Sequence, residues 1–255
     1  MRRLVMGLIT LFGLLAMQPA RAADVFPDIV QGMKASIVGI GTVQPLRRPP
    51  LDLKGTGFVV HDGRHVVTNF HVLPSVMDTD NKERLVVIVG HARNFTDRDA
   101  EIVAMDPDHD LALLRISGDP LPPVKLGSGA LLRDGTRIAI TGYPIGSVFG
   151  VYPVTHVGHV AAITPIRIPQ ASSRLLDARM ILRNPFDVYQ LDITAFPGNS
   201  GSPMYDAVTG RVEAVLNSTF IKETKERALS EPTGISFAIP VVYVHEILRK
   251  AGLTK

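Results

Sequence analysis

The stretch AFPGNSGSPMYD, residues 195–206, sets Ser200 in a turn with Gly198 and Gly201 close on either side. A serine hydroxyl attacks poorly until a base takes its proton, and the base works best when a third group holds it. The sequence offers both partners. In HVVTNFHVL, residues 65–73, His71 follows an apolar strand-like run at the start of a turn. In DPDHDLALLRI, residues 106–116, Asp110 stands at the mouth of another such run, beside whatever it would orient. Read together, these residues could activate an alcohol for attack on a carbonyl. Glycine at 198 would let the backbone turn there, and glycine at 201 would leave room beside the nucleophile.

The elements that must position them follow a strand rhythm. ASIVGIGTV, GFVVHDGRHVVTNF, RLVVIVGHA, AEIVAMD, TRIAITG, VTHVGHVAAI, DVYQLDITA, PMYDAVTGRVEAVLN and GISFAIP are short, β-branched and separated by turn residues. That rhythm predicts an all-β barrel or sandwich. Asp62-Gly63 marks a hairpin turn. The Pro- and Gly-rich stretch around PLPP, residues 120–123, divides the chain into two β halves: 23–122 carrying His71 and Asp110, and 123–255 carrying Ser200. Two short helices are expected. One lies in DVFPDIVQGMK. The other is in PVVYVHEILRKAG, with Pro240 in its first turn, an apolar face of Val241, Val244, Ile247 and Leu248, and Gly252 past its end. Residues 164–185 break the rhythm and are expected to form a long loop.

The 255 residues contain no Cys and no Trp, and 45% are hydrophobic, which fits a folded globular chain. Residues 1–22 read as a signal peptide: a basic start, an apolar run over residues 4–17, and small residues at Ala20 and Ala22. That run is short for a bilayer-spanning helix, which needs roughly 20 residues. No membrane span is expected after cleavage, and the reading places the mature protein in the periplasm or outside the cell. Removing Arg2, Arg3 and Arg21 from the 27 Lys and Arg leaves them balanced against the 24 Asp and Glu. The basic excess therefore gives no argument for nucleic acid as a partner.

GTGFVV with VVTNFHVL, DPDHDLALLRI and GNSGSP, in that order, resemble the trypsin-like serine peptidases of the chymotrypsin-fold superfamily. Within it the chain is similar to bacterial HtrA/Deg proteases through TNFHV, DLALL, Asp192 ahead of GNSG, and GISFAIP. GNSGSP and TGYP also occur in the style of glutamyl endopeptidases, but their glutamate-reading histidine has no counterpart around Val215, Leu216 and Asn217. Ser202 stands where HtrA proteins usually have a second glycine, and little sequence follows residue 240 in which a PDZ domain could fit.

The resemblance implies two packed six-stranded antiparallel barrels with a short C-terminal helix. It implies an exported endopeptidase acting on unfolded or exposed polypeptide. His71 would be the base, Asp110 the orienting acid and Ser200 the nucleophile, and the N–H groups of Gly198 and Ser200 would form the oxyanion hole. Thr194, Asn217 and Thr219 would border the substrate pocket. An uncharged Thr194 there argues against a preference for Lys or Arg. Asn199, neutral where cleavage-activated relatives carry Asp, argues against an activation switch of that kind. The other functional class is a protease-fold chaperone or scaffold with a little-used site. No cofactor is expected. His61 with His65, and His156 with His159, are expected to be solvated or hydrogen-bonded imidazoles and not metal ligands. HtrA relatives trimerise through N-terminal segments, which leaves oligomerisation open for this chain.

Overall fold

A computed structural model describes residues 25–91, 94–144, 151–165, 185–217 and 234–254. The expected signal peptide and nearly all of the expected loop at 164–185 lie outside them. β8 runs on through Pro165, two residues into that segment.

The first barrel is built from β1 (Ile37–Val43), β2 (Leu51–Val60), β3 (His65–Asn69), β4 (Arg84–His91), β5 (Asn94–Asp106) and β6 (Leu111–Ile116). The second comprises β7 (Arg137–Gly142), β8 (Val154–Pro165), β9 (Asp187–Leu191), β10 (Pro203–Asp206), β11 (Val212–Asn217) and β12 (Ser236–Pro240). Each six-stranded sheet closes on itself, in the order β1-β2-β3-β6-β5-β4 and β10-β11-β12-β9-β8-β7. Every strand pairing within them is antiparallel. Closure leaves neither sheet a free edge. The all-β, two-barrel expectation therefore holds.

Several strands are buried on both faces. On β2, β3 and β6, Val59, Val66 and Leu114 fill the first barrel. Their neighbours Phe58, Val67, Leu111 and Leu113 point the other way. There they meet Ala139, Tyr143, Tyr205, Val215 and Ile239 of the second barrel in one shared apolar cluster. This double burial is why these strands read as continuous apolar runs instead of alternating ones. Ile138, Ile140, Leu191, Met204, Leu216 and Ala238 fill the second barrel.

Two helices close the ends of the cluster. α1 (Phe26–Lys34) has a proline in its first turn. α2 (Val241–Lys250) buries Val241, Val244, Ile247 and Leu248, the face the sequence predicts. Pro240 is its N-cap and the last residue of β12, one position earlier than expected. At the other end Gly252 (φ 73°) turns the chain back. Gly252 N–H donates to Arg249 O and Leu253 N–H to Leu248 O, both at 3.0 Å, a Schellman arrangement that satisfies carbonyls the helix leaves open.

β5 departs from expectation by starting at Asn94, six residues before the apolar part of its sequence begins. Its polar first half is held by pairing with β4 and by Arg84, whose guanidinium bridges Asp97 and Asp99. Ion pairs on an exposed hairpin carry no hydrophobic period to read.

Glu213 on β11 is the least comfortable charge of the core. It is 8% exposed. Its carboxyl lies so close to Gly127 that a Cβ added there would fall 2.0 Å from Oε2. Burial, reinforced by the like charge of Asp206, pushes its pKa above the ordinary carboxyl value. The ionised form is thus disfavoured in the fold. Stability is unimpaired below the ordinary pKa and falls as pH rises through the raised one. Glu213→Gln is expected to stabilise the protein at neutral pH by about 1 kcal/mol, a few degrees in Tm. The gain should vanish below the ordinary carboxyl pKa, and thermal melts at the two pH values check it.

Candidate active site

His71 sits in the short 3-10 turn Phe70–Val72 directly after β3. Asp110 ends the turn between β5 and β6, with a left-handed backbone (φ 52°). Asp tolerates that region better than most residues, but it remains a strained conformation. It is held by its own carbonyl, which accepts Phe70 N–H at 3.0 Å and Asn69 Nδ2 at 3.1 Å. The carboxylate is then aimed at the 3-10 turn. Oδ1 accepts His71 N–H at 2.9 Å, and Oδ2 faces His71 Nδ1 at 2.6 Å. Nδ1 therefore carries the proton, and Nε2 is left as the basic nitrogen.

The turn carrying Asp110 rests on α2. Asp106 is 4% exposed and accepts from His109 N–H (3.3 Å), His109 Nδ1 (2.9 Å) and Lys250 Nζ (3.2 Å). Burial alone would raise its pKa, yet His109 and Lys250 hold the carboxyl below the ordinary value. The His109 ring stacks on Tyr243 of α2 at 3.9 Å and meets the Phe186 edge at 4.7 Å.

Ser200 comes from the second barrel and is 4% exposed. Its turn is fixed by Asn199 N–H to Phe196 O, Ser202 N–H to Asn199 O and Gly201 N–H to Leu216 O, each at 3.0 Å. Gly198 (φ 94°) and Gly201 (φ 85°) both take left-handed backbone. At Gly201 a Cβ would also fall 2.0 Å from Thr56 O, so two separate constraints demand glycine. Ser202 fits because Gly142 faces it: a Cβ on Gly142 would fall 2.0 Å from Ser202 Oγ.

Thr56, on β2 and fully buried, ties this turn to the first barrel. Its N–H donates to Ser200 O at 2.9 Å and its hydroxyl to Gly198 O at 2.7 Å. The same hydroxyl oxygen accepts Tyr143 N–H at 3.0 Å, and its carbonyl accepts Thr68 Oγ1 at 2.7 Å. One residue before it, a Cβ on Gly55 would meet Val72 Cγ2 at 2.8 Å and Ser200 O at 3.0 Å. The Ser200 backbone and the turn bearing His71 are thus packed against the same point of β2.

Asn217, at the end of β11, spans the barrels in the other direction. Its Nδ2 donates to Asp110 Oδ2 at 2.6 Å. The sequence places Asn217 at the border of the substrate pocket, and its side-chain amide is engaged by Asp110. Thr219 lies outside the described residues. Thr194 is partly buried in the segment leading to the Ser200 turn. Asn199 is fully buried, and among the described residues its amide nitrogen and oxygen have no hydrogen-bond partner. A carboxylate there would be a buried, unpaired charge.

Thr56 and Tyr143 were not singled out by the sequence reading. GTGFVV and TGYP contain them, but a threonine or a tyrosine in or next to a strand is ordinary. His156 packs 6.2 Å from the Phe196 ring, and burial holds its pKa below the usual imidazole range. His159 pairs with Asp192 at 3.1 Å.

A histidine hydrogen-bonded to a carboxylate in one barrel, with a serine on a glycine turn in the other, points to the class of protein. Residues 55–215 match the trypsin-like peptidase domain family, and the chain belongs to it. A probable periplasmic serine endoprotease DegP-like of Pseudomonas putida is 30% identical over 205 residues, 78% of this chain and 35% of the relative. Protease Do-like 5, chloroplastic, of Arabidopsis thaliana is 31% identical over 191 residues, 73% of this chain and 53% of the relative. The chain therefore spans between about a third and a half of these relatives. The crystal structure of Deg5 superposes with a TM-score of 0.62 at 26% identity, covering 86% of this chain and 90% of that one.

Thr56→Val keeps the shape and removes the hydroxyl that both Gly198 O and Tyr143 N–H use. A buried N–H and a partly buried carbonyl lose a partner, at about 1–3 kcal/mol each. The variant is expected to melt several degrees lower and to turn over substrate at least tenfold more slowly. Melting curves and peptide hydrolysis rates measure the two effects.

Proposed function

We propose that this chain is an exported serine endopeptidase that hydrolyses peptide bonds in unfolded or exposed polypeptide. The observation that carries the reading is the double hydrogen bond from His71 to Asp110, with Asn217 as a third donor. It leaves Nε2 of His71 as the base for the Ser200 hydroxyl.

In this reading His71 takes the Ser200 proton as Ser200 Oγ attacks the carbonyl carbon. Asp110 holds the tautomer and stabilises the imidazolium that forms. The oxyanion is received by the N–H groups of Gly198 and Ser200, donors aimed at charge that develops only in the transition state. His71 then returns the proton to the leaving amine. Water repeats the cycle on the acyl-enzyme and releases the carboxylate product. Thr194 borders the pocket for the side chain ahead of the cleaved bond, and its lack of charge favours small or medium apolar residues there.

Export to the periplasm is supported by the signal-like residues 1–22 and by relatives named as periplasmic. The described residues contain no helix long and apolar enough to cross a membrane.

A fluorophosphonate probe is expected to label the wild type covalently and to fail on Ser200→Ala and His71→Ala. Asp110→Asn favours the wrong tautomer and should lower kcat on the order of 10⁴-fold. A folded wild type that takes no label would favour the binding-module reading.

A further inference from the structure

We propose that the turn between β2 and β3 is a metal site, in which His61, Asp62 and His65 bind a divalent transition ion of the zinc class. One ligand atom from each residue lies within 4.8 Å of those of the other two. The sequence shows two histidines flanking a turn; the structure adds a carboxylate between them. His65 Nδ1 stands 2.8 Å and His61 Nδ1 3.8 Å from the same oxygen, Asp62 Oδ1. Ligands at zinc distances on a tetrahedral ion lie about 3.3 Å from one another. The two observed separations straddle that value, so shifts of about half an ångström would suffice for these contacts.

The donor set selects the ion. Two imidazole nitrogens and one carboxylate suit zinc, cobalt, nickel or copper, whereas calcium and magnesium take oxygen ligands. Asp62 Oδ1 also accepts Arg64 N–H at 2.9 Å, which fixes the carboxylate between the two rings. The His61 and Asp62 side chains are 36% and 41% exposed, which leaves room for water in the remaining coordination positions.

The ligands stand on a braced turn. Gly63 N–H donates to Val60 O at 3.1 Å, and Gly63 O accepts Leu121 N–H at 2.8 Å. Arg64 Nε donates to Gly118 O at 3.2 Å. A Cβ on Gly63 would fall 2.4 Å from Leu121 O. The linker between the barrels therefore clamps the turn from behind. An ion here would pin the β2–β3 hairpin at the end of β3 away from His71, roughly 20 Å along the chain at strand rise. It would act on stability and not on the reaction centre. The second cluster of metal-ligating types, Asp106, His109 and Glu246, is answered differently. Lys250 Nζ already sits 3.2 Å from Asp106 Oδ2 and supplies the positive charge.

The test is calorimetric titration of Zn²⁺ into the full chain carrying Ser200→Ala, with Co²⁺ absorption as a second readout of geometry. Saturable binding of one ion is expected, weakened at least tenfold by His61→Ala and by Asp62→Asn and unchanged by His71→Ala or His109→Ala. Zn²⁺ should raise the Tm of the parent protein and not that of His61→Ala. Absence of saturable binding overturns the proposal, as does binding that survives both His61→Ala and Asp62→Asn. Neither result bears on Ser200 labelling, so this site and the peptidase reading fail separately.

Discussion

The site depends on how Thr56 joins the two barrels, whose broad shared core is apolar. Hydrophobic packing between them is strong but non-directional; it would tolerate small slips that a catalytic arrangement would not. Thr56 supplies direction. Its N–H and hydroxyl both reach the Ser200 turn, and its carbonyl is held in turn by Thr68 on the strand that leads to His71. In a fully buried setting, each of these bonds penalises displacement by leaving a polar group without a partner. Gly201 is the counterpart of this closeness, since any side chain there would collide with Thr56 O.

A second brace comes from the C-terminal helix. Asp110 is aimed by a strained backbone, and strain persists only where surroundings over-determine it. α2 contributes to that. Lys250 and Tyr243 hold Asp106 and His109, the residues that shape the turn just before Asp110. The apolar face of α2 lies in the shared core, so the helix couples the packing between the barrels to the carboxylate. Asn217 completes the frame from β11 by bonding the Asp110 oxygen that also faces His71.

Much of this was legible in the sequence, and the reasons are local. Strands buried on both faces show as apolar runs, and α2 shows its buried face at helical spacing with Gly252 beyond it. His71, Asp110 and Ser200 each lie at the end of such a run, beside turn residues. What could not be read lacked a local signature. The first half of β5 is polar and held by ion pairs. Thr56 looks like any strand threonine. Nothing near Asn217 in sequence reveals that its amide meets Asp110, a partner 107 residues away. Asp62 read as a turn former, and only the closed turn shows two imidazoles converging on its oxygen.

The sequence by itself determined the strand pattern, the two helices and the residue types able to do acyl-transfer chemistry, because these follow from periodicity, turn preference and side-chain chemistry over a few residues. The tertiary structure decided which of those residues meet. Hydrogen bonds such as Thr56 to Gly198 and Asn217 to Asp110 depend on distances between barrels that are set by the closure and packing of both sheets, and no stretch of chain carries that information alone.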